Sequence, residues 1–257
     1  MRLPRAVTRG RLARPRHPAT QHDPTAFERT IDDWATEIIE SARPYTMTST
    51  ERLVAVIDAV SYVVARGVGG ALVECGVWRG GSILTMIRTL QHFGADDRDV
   101  YLFDTFDGMT APTDEDTSSF DGSARTEWEA ATEAGEQPWQ GFFRAEVFNL
   151  DDLRAMLAAT GYPEARLHFV QGPVEETLPA QAPAEVALLR LDTDWYESTR
   201  HEMEHLYPRL VDNGVLIVDD YGHWDGCRQA VDEYFAAHGG HLLLHRSDYT
   251  GRMAIKH

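Results

Sequence analysis

Residues 71–82 read ALVECGVWRGGS, an apolar run that leads directly into a glycine-rich turn. The run Ala71–Cys75 is typical of a buried strand, and the residues after the turn predict a helix over 82–93. Glycines at such a turn let the backbone approach a ligand closely, and the start of the helix offers unpaired N–H groups. Because a tight strand-to-helix turn also needs glycine for steric reasons alone, the stretch by itself predicts the local fold rather than a ligand.

The same alternation of short apolar runs and helices continues through the rest of the chain. It predicts further strands at residues 100–103, 167–170, 186–191 and 215–218, and helices at residues 27–42, 52–66, 197–206 and 227–238. Thr48 and Glu51 are spaced as a capping box for helix 52–66, and residues 241–245 and 253–256 are expected to pair as a hairpin. Since strands that alternate with helices form parallel sheets, the predicted class is α/β. We expect an open, doubly wound, Rossmann-like sheet, mostly parallel with a C-terminal antiparallel hairpin.

The composition restricts the kind of protein and its partners. The 257 residues are 43% hydrophobic, enough to bury a core, and their formal net charge is −17. Such a surface repels the phosphates of nucleic acids and anionic lipid, so neither a nucleic acid nor a membrane is an expected partner. Without a long apolar segment or a leader sequence, and with only two cysteines, the chain is expected to be a cytoplasmic protein with free thiols. We expect it to form a homo-oligomer.

The chain is expected to consist of a basic tail, residues 1–26, and a single domain, residues 27–257, with N-terminal helices at 27–70. Residues 1–22 contain six arginines and no acidic residue. Such a tail is either a solvated extension or a basic arm that docks on an acidic partner. Residues 107–141 interrupt the strand–helix pattern with an acidic segment rich in Thr, Ser and Gly. A segment of this length without strong periodicity predicts a lid over an active site.

Acidic residues beside the glycine turn indicate what could bind there. Asp104 ends the second predicted strand, where an acid can accept hydrogen bonds from the two hydroxyls of a ribose. Glu74, just before the glycines, could meet the cationic amino-acid end of a ligand. The turn lacks the Gly-Lys-Ser/Thr of a P-loop and the glycine spacing of a dinucleotide site. Together with Gly76, Gly80 and Ser82, these acids predict a nucleoside ligand that is not anchored by pyrophosphate.

Two further acidic pairs follow consecutive predicted strands. Asp192 and Asp194 follow strand 186–191, and Asp219 and Asp220 follow strand 215–218. If these strands are neighbours, four carboxylates converge at one edge of the sheet, where ligands of such sheets bind. Carboxylates in that proximity repel one another and have raised pKa values unless a cation lies among them.

The donor type indicates which cation that would be. Carboxylate oxygens favour Mg²⁺, with Ca²⁺ or Mn²⁺ as substitutes. His223 and Cys227 lie close to Asp219 in sequence and leave zinc as an alternative. A reading without any metal also stays open, because Asp194 with Glu197, or the later pair, could simply cap a helix or a turn.

Four motifs resemble those of the macrocin-type (TylF-type) O-methyltransferases. They are VECGVWRGGS at 73–82, FDTFDG at 103–108, LDTDWYEST at 191–199 and VDDY at 218–221. The resemblance extends from about Thr46 to the C-terminus. It implies a class I methyltransferase sheet, S-adenosylmethionine and Mg²⁺ as cofactors, and a sugar hydroxyl of a natural product or nucleotide sugar as the acceptor. Thr193 stands where many members have glycine, and residues before Thr46 have no counterpart.

Carried over by position, the resemblance also implies roles for individual residues. Asp194, Asp219 and Asp220 would be the metal ligands. Asp192 would be the general base beside the cofactor, which Glu74 and Asp104 would hold.

Aromatic residues near the same strand ends are candidates for contacts with a sugar, although each of them could equally belong to the core. They are Trp195, Tyr196, His223 and Trp224. Two other functions stay open: a catechol-type methyltransferase, and a non-catalytic protein that binds nucleotide sugars on the same fold. The presence of Asp192 argues against the second, because a protein without catalysis would not need a base.

Overall fold

Residues 26–144, 146–239 and 242–257 are described by the computed structural model of the chain. The chain divides between Ile31 and Asp32, and the part from Asp32 to the C-terminus contains the sheet. The predicted basic tail lies, apart from its last residue, outside the described residues. Within the described ranges, no helix is long and apolar enough to cross a membrane.

Seven of the described strands form one twisted sheet, and two more form a separate small hairpin. The strands are β1 (Ala71–Cys75), β2 (Val100–Asp104), β3 (Thr117–Ser118), β4 (Gly122–Ser123), β5 (Leu167–Gln171), β6 (Val186–Leu191), β7 (Leu210–Val218), β8 (His245–Arg246) and β9 (Arg252–Ile255). The sheet order is β5–β2–β1–β6–β7–β9–β8, and β3 pairs with β4. Strands β5, β2, β1, β6 and β7 run parallel, whereas β9 is antiparallel to β7 and to β8. The predicted mostly parallel α/β sheet with an antiparallel C-terminal pair is confirmed.

Helices cover both faces of this sheet. The described α-helices are α1 (Asp33–Ala42), α2 (Thr50–Ala65), α3 (Gly81–His92), α4 (Ala124–Glu133), α5 (Gln140–Phe143), α6 (Leu150–Ala158), α7 (Val174–Thr177), α8 (Tyr196–His205) and α9 (Asp225–His238). Helices α2, α3 and α6 bury apolar side chains against one face, and α8 and α9 against the other. Alternate strand residues supply the two cores: Leu72 and Leu188 face the first group of helices, and Val73 and Leu189 the second.

The register of the central strands brings their carboxyl ends level. Cys75 of β1 pairs with Phe103 of β2 and with Leu191 of β6, and Leu191 pairs with Val218 of β7. The residues that follow these partners therefore emerge side by side at one edge. The strand order reverses between β1 and β6, and this is the crevice in which open α/β sheets bind ligands.

Three local expectations differ from the structure. A single helix over 27–42 is wrong, because a 3₁₀ turn at Glu28–Thr30 is separated from α1 by extended backbone at Ile31. Helix α2 is capped by Ser49, whose hydroxyl accepts the N–H of Arg52, so the expected box starting at Thr48 does not form.

The C-terminal hairpin is also shorter than expected. Its strands are β8 and β9, and the Leu242–Leu244 residues before β8 have no regular structure; Leu243 is 88% exposed. His241, the expected first residue of the hairpin, lies outside the described residues. Leu242 and Leu244 instead pack against the core on the side of α8 and α9, so they are partly buried without joining the sheet.

Candidate active site

A cavity of about 580 Å³ opens at the carboxyl edge of the sheet. It extends from the glycine turn after β1 to the acidic residues after β6 and β7. Most of the residues predicted from sequence line it: Glu74, Gly76, Ser82, Asp104, Asp192, Asp194, Trp195, Asp219, Asp220, His223 and Trp224. Gly80 and Tyr196 are not among its lining residues. The structure thus brings the candidate cofactor residues and the candidate metal ligands to one site.

The glycine turn is shaped by close contacts with the residues that follow β6. Gly76 has a φ of 80°, and a Cβ atom built on it would overlap the carbonyl oxygen of Asp192. Gly80, with a φ of 83°, is the N-terminal cap residue of α3 and faces the side chain of Leu153, so its role is in the turn. Ser82 is buried in the first turn of α3. Glycine is required at position 76 because both φ and space exclude a side chain.

Asp104 holds the same turn from the β2 side. Its Oδ2 accepts the N–H groups of Val77 at 2.7 Å and Trp78 at 3.0 Å, and its Oδ1 accepts that of Phe106 at 2.7 Å. Burial raises the pKa of the carboxyl, and these three backbone hydrogen bonds oppose that rise. Asp104 therefore organises the turn as well as facing the cavity, a role that the sequence did not predict.

A buried arginine connects the two halves of the site. Arg190 of β6 is 1% exposed and donates to Glu74, to Asp192 at 2.6 Å and to Asp219 at 2.6 Å. Burial raises the pKa of Glu74 to about 7, although Arg190 lowers it. The second oxygen of Glu74 is buried and has no hydrogen-bond partner among the described residues. One guanidinium thus balances acids from three strand ends.

A second arginine occupies the other side of Asp219. Arg52 of α2 donates to Asp219 Oδ2, and its Nε lies 3.1 Å from Asp248 Oδ2. Ser49 donates to the same Asp248 oxygen at 2.8 Å. Both oxygens of Asp219 therefore contact a guanidinium, one from Arg190 and one from Arg52.

Three other carboxylates form the group that could hold a metal ion. Asp192, Asp194 and Asp220 each offer an oxygen, and these oxygens lie within 4.8 Å of one another. Burial raises the pKa of Asp194 to about 7, with repulsion from Asp192 and Asp219 adding to the effect. Burial and the neighbouring carboxylates also raise the pKa of Asp220. The grouping contains two of the ligands implied by the resemblance, with Asp192 in place of Asp219.

His223 and Cys227, the residues behind the zinc alternative, do not join that group within the described part of the chain. Cys227 is a buried free thiol on α9, as Cys75 is on β1. His223 instead contacts the segment between β3 and β4: its Nε2 lies 2.7 Å from Asp121 Oδ2, and its ring stacks on Phe120 at 5.4 Å.

The position of Asp194 depends on an unusual turn. Asp194 has a φ of 68°, and the N–H of Trp195 donates to the carbonyl of Thr193 at 2.8 Å, which closes a three-residue turn. Turns of this kind with positive φ are rare and strained. The buried carboxylate of Asp116 accepts the N–H of Tyr196 at 2.7 Å and so fixes the backbone directly after this turn. Because β6 ends at Leu191, Asp194 does not continue the extended backbone of that strand.

Aromatic rings form another wall of the cavity. Trp195 is 2% exposed, and its indole N–H donates to the carbonyl of Thr110 at 3.0 Å. Trp224 and Trp139 pack against it with ring centroids at 5.1 and 5.4 Å. Tyr196, the fourth predicted sugar contact, lies apart from this wall because its hydroxyl donates to Glu233 of α9 at 2.7 Å.

Sequence reasoning missed three residues that organise the site: Arg52, Asp116 and Arg190. Arg190 had a detectable signal, since a cation inside the otherwise apolar run VALLRL requires buried acidic partners. Arg52 had none, because its contact with Asp219 joins residues 167 positions apart. Asp116 was one of several acids in a segment without periodicity, and only the fold shows which of them is buried.

The chain is similar to known O-methyltransferases in sequence and in fold. A family model for macrocin-O-methyltransferase (TylF) matches residues 13–254. The 8-demethyl-8-(2,3-dimethoxy-alpha-L-rhamnosyl)-tetracenomycin-C 4'-O-methyltransferase of Streptomyces olivaceus is 34% identical over 207 residues, which cover 80% of this chain and 74% of that protein. Mycinamicin III 3''-O-methyltransferase of Micromonospora griseorubida is 31% identical over 195 residues, 76% of this chain and 72% of that protein. The structure of the O-methyltransferase NovP matches with a TM-score of 0.68 and 30% identity over 82% of each chain. This likeness confirms the expected class I methyltransferase sheet.

Proposed function

We propose that this chain, which belongs to the macrocin-O-methyltransferase (TylF) family, is an S-adenosylmethionine-dependent O-methyltransferase whose acceptor is a sugar hydroxyl of a natural product or nucleotide sugar. The O-methyltransferase activity follows from the family, and the acceptor and a Mg²⁺ requirement are our proposal. The observation that carries it is one cavity that joins Glu74 and Asp104 to the carboxylates of Asp192, Asp194 and Asp220. The Streptomyces relative is named for a substrate that carries a rhamnosyl group, which supports a sugar as the acceptor.

The residues at the glycine turn fit a sulfonium-bearing amino acid nucleoside. The unpartnered, buried oxygen of Glu74 suits a cationic ammonium group, because a buried acceptor without a donor is costly. Asp104 uses three acceptor positions for backbone N–H groups and keeps capacity for a ribose hydroxyl. The start of α3 adds backbone N–H groups, and no phosphate-binding lysine is present in the turn.

The carboxylate group fits a hard divalent cation. Asp220 Oδ2 is buried and has no hydrogen-bond partner among the described residues. A cation would neutralise the repulsion that raises the pKa values of Asp194 and Asp220. We propose these two as ligands, with Asp219 as the third implied by the resemblance. The arginines take one lone pair on each Asp219 oxygen, so a second lone pair on each is left for coordination.

The chemistry requires little from the chain beyond placement and proton transfer. Bound S-adenosylmethionine supplies the electrophilic methyl group, and bound Mg²⁺ makes the acceptor hydroxyl more acidic. We assign proton acceptance to Asp192, whose Oδ2 is held by Arg190 and whose other oxygen is free of that contact. Trp195 and Trp224 orient the sugar and exclude water, because in-line methyl transfer depends on alignment of the reacting atoms.

Residues 107–141 act in this proposal as the lid over the acceptor. The segment contains β3, β4 and α4, and it contributes side chains to the cavity: Met109, Thr110, Asp121, Glu127 and Trp139. Asp116 anchors its middle to the start of α8. The parts of the segment before and after Asp116 would therefore move, while Asp116 itself stays in place.

Methyl transfer to defined acceptors tests the function. The full chain is incubated with S-adenosylmethionine and, in separate reactions, rhamnosylated natural products, nucleotide sugars and catechol, and products are detected by mass. We expect methylation of a sugar-bearing acceptor that chelator abolishes and Mg²⁺ restores. Turnover of catechol alone, or full turnover in the presence of chelator, would contradict the proposal. Binding of nucleotide sugars without any methylation would indicate the non-catalytic alternative.

A further inference from the structure

Residues 201–205 of α8 read HEMEH, which has the His-Glu-x-x-His spacing of helical zinc sites. Two histidines four residues apart lie one turn apart on the same face of a helix. The proposed methylation does not use this part of α8, which lies at the opposite end of the helix from Asp194.

The side chains are already close enough to share one ion. His201, Glu204 and His205 each offer a ligand atom, and these atoms lie within 4.8 Å of one another. The two imidazole rings are 4.3 Å apart at an angle of 64°. Both histidines are partly buried and Glu204 is exposed, so an ion could enter from solvent.

Contacts around the group orient the ligands. His201 Nε2 lies 3.4 Å from the carbonyl oxygen of Leu178, the kind of backbone partner that fixes the ring of a metal-binding histidine. Arg200 donates to Glu204 Oε1 at 2.9 Å and leaves the other oxygen of that carboxylate available. His201, Glu204 and His205 thus lie on a helix that is held in place because its opposite face packs in the core.

Glu202, the second residue of the motif, is not placed to support the hydrolysis that zinc peptidases catalyse. In zinc peptidases the glutamate after the first histidine is the general base. Here Glu202 is fully buried, and its Oε1 accepts the hydroxyl of Thr193 at 3.0 Å. It therefore points into the core and is not available as a base for a water at the histidines.

We propose that His201, Glu204 and His205 form a binding site for a transition-metal ion of the Zn²⁺ class, independent of the aspartate site and without hydrolytic activity. Imidazole nitrogen favours Zn²⁺, Cu²⁺ or Ni²⁺, whereas a set of carboxylates favours Mg²⁺. Two histidines and one carboxylate leave a fourth position for water. An ion held by residues 201 and 205 bridges successive turns and stabilises the end of α8.

Calorimetric titration of the full chain with ZnCl₂ tests this assignment. We compare the native chain with the double variant His201→Gln/His205→Gln, with Asp194→Asn/Asp220→Asn, and with His238→Gln as a control on α9. We expect one zinc site that only the double histidine variant loses, and a Co²⁺ absorption spectrum of nitrogen ligation that disappears with it. Zinc should raise the Tm of the native chain and of His238→Gln.

The fold of the double histidine variant is checked by its Tm in chelator, which should equal that of the native chain. Zinc heat that survives in this variant would overturn the proposal, as would heat that disappears only in the aspartate variant. Because the readouts are zinc affinity and Tm, they are independent of methyl transfer.

Discussion

Arg190 determines how the acids of the site can behave. Its guanidinium contacts the buried carboxylates of Glu74 and Asp219 and the partly exposed carboxylate of Asp192. Removing one partner of a buried ion pair leaves an uncompensated charge and typically costs about 3–5 kcal/mol. Substitutions of these acids are therefore best made with Asn or Gln, which preserve shape and hydrogen bonding, so that effects on catalysis are not confused with unfolding.

The roles assigned to Asp192 and Asp194 can be separated by their dependence on Mg²⁺. Asp192→Asn cannot accept a proton, so turnover should fall by about 10²–10⁴-fold with little change in the Mg²⁺ concentration needed. Asp194→Asn removes a ligand, so excess Mg²⁺ should restore part of its rate. Rates measured against Mg²⁺ concentration for both variants decide the matter. Rescue of Asp192→Asn alone would show that the two roles are exchanged.

At the level of elements, the parallel strands and their level ends could be predicted because buried strands are marked by short, mostly apolar runs. The same runs located Asp104, Asp192 and Asp219 correctly at the sheet edge. The start of α1 and the cap of α2 could not be predicted, because several neighbouring polar residues can cap a helix and tertiary contacts choose among them. The turn at Asp194 was also beyond prediction, since its positive φ contradicts the preference of an ordinary side chain.

The segment 107–141 should behave as two flexible parts around one fixed point. Hydrogen exchange is expected to show low protection in α4 that increases when cofactor and acceptor bind together, while Asp116 and its neighbours stay protected. In Asp116→Asn, exchange should increase both near residue 116 and at Thr193–Tyr196, because the cap on Tyr196 is weakened. The exposed Glu115→Gln is the matched control. Equal and high protection of 107–141 with and without ligands would mean that it is a fixed part of the fold.

For the whole molecule, the buried acids make stability depend on pH and on the cation together. Asp194 and Glu74 have pKa values of about 7 in the folded chain, raised by burial above the ordinary 3.8 and 4.5. At a pH between the ordinary pKa and about 7, these two carboxyls bind more protons in the folded chain than in the unfolded chain. Their contribution to stability is therefore complete at low pH and is lost as the pH rises through about 7.

We accordingly expect the Tm of the chain in chelator to decrease from about pH 5 to about pH 8. Mg²⁺ should raise the Tm most at the upper end, because it replaces the proton among the carboxylates. Asp194→Asn should show a smaller decrease, with Glu74 and the other acids whose pKa is raised in the folded chain, Asp220 among them, responsible for the remainder. Thermal unfolding across this range, with and without Mg²⁺, measures the effect. A Tm in chelator that is constant with pH, or the same decrease in Asp194→Asn, would contradict it.

Gly76 has a consequence for anyone who redesigns this protein. Only a hydrogen atom fits between this residue and the carbonyl of Asp192, so a single contact sets the spacing between the glycine turn and the loop after β6. In our proposal the turn faces the methyl donor and the loop faces the acceptor. The glycine turn and the loop after β6 are therefore in direct contact at this point, with no space between them. To admit a larger donor analogue, the cavity should be enlarged elsewhere, for example by a smaller side chain at Phe142. A larger spacing at Gly76 would also shift the loop after β6.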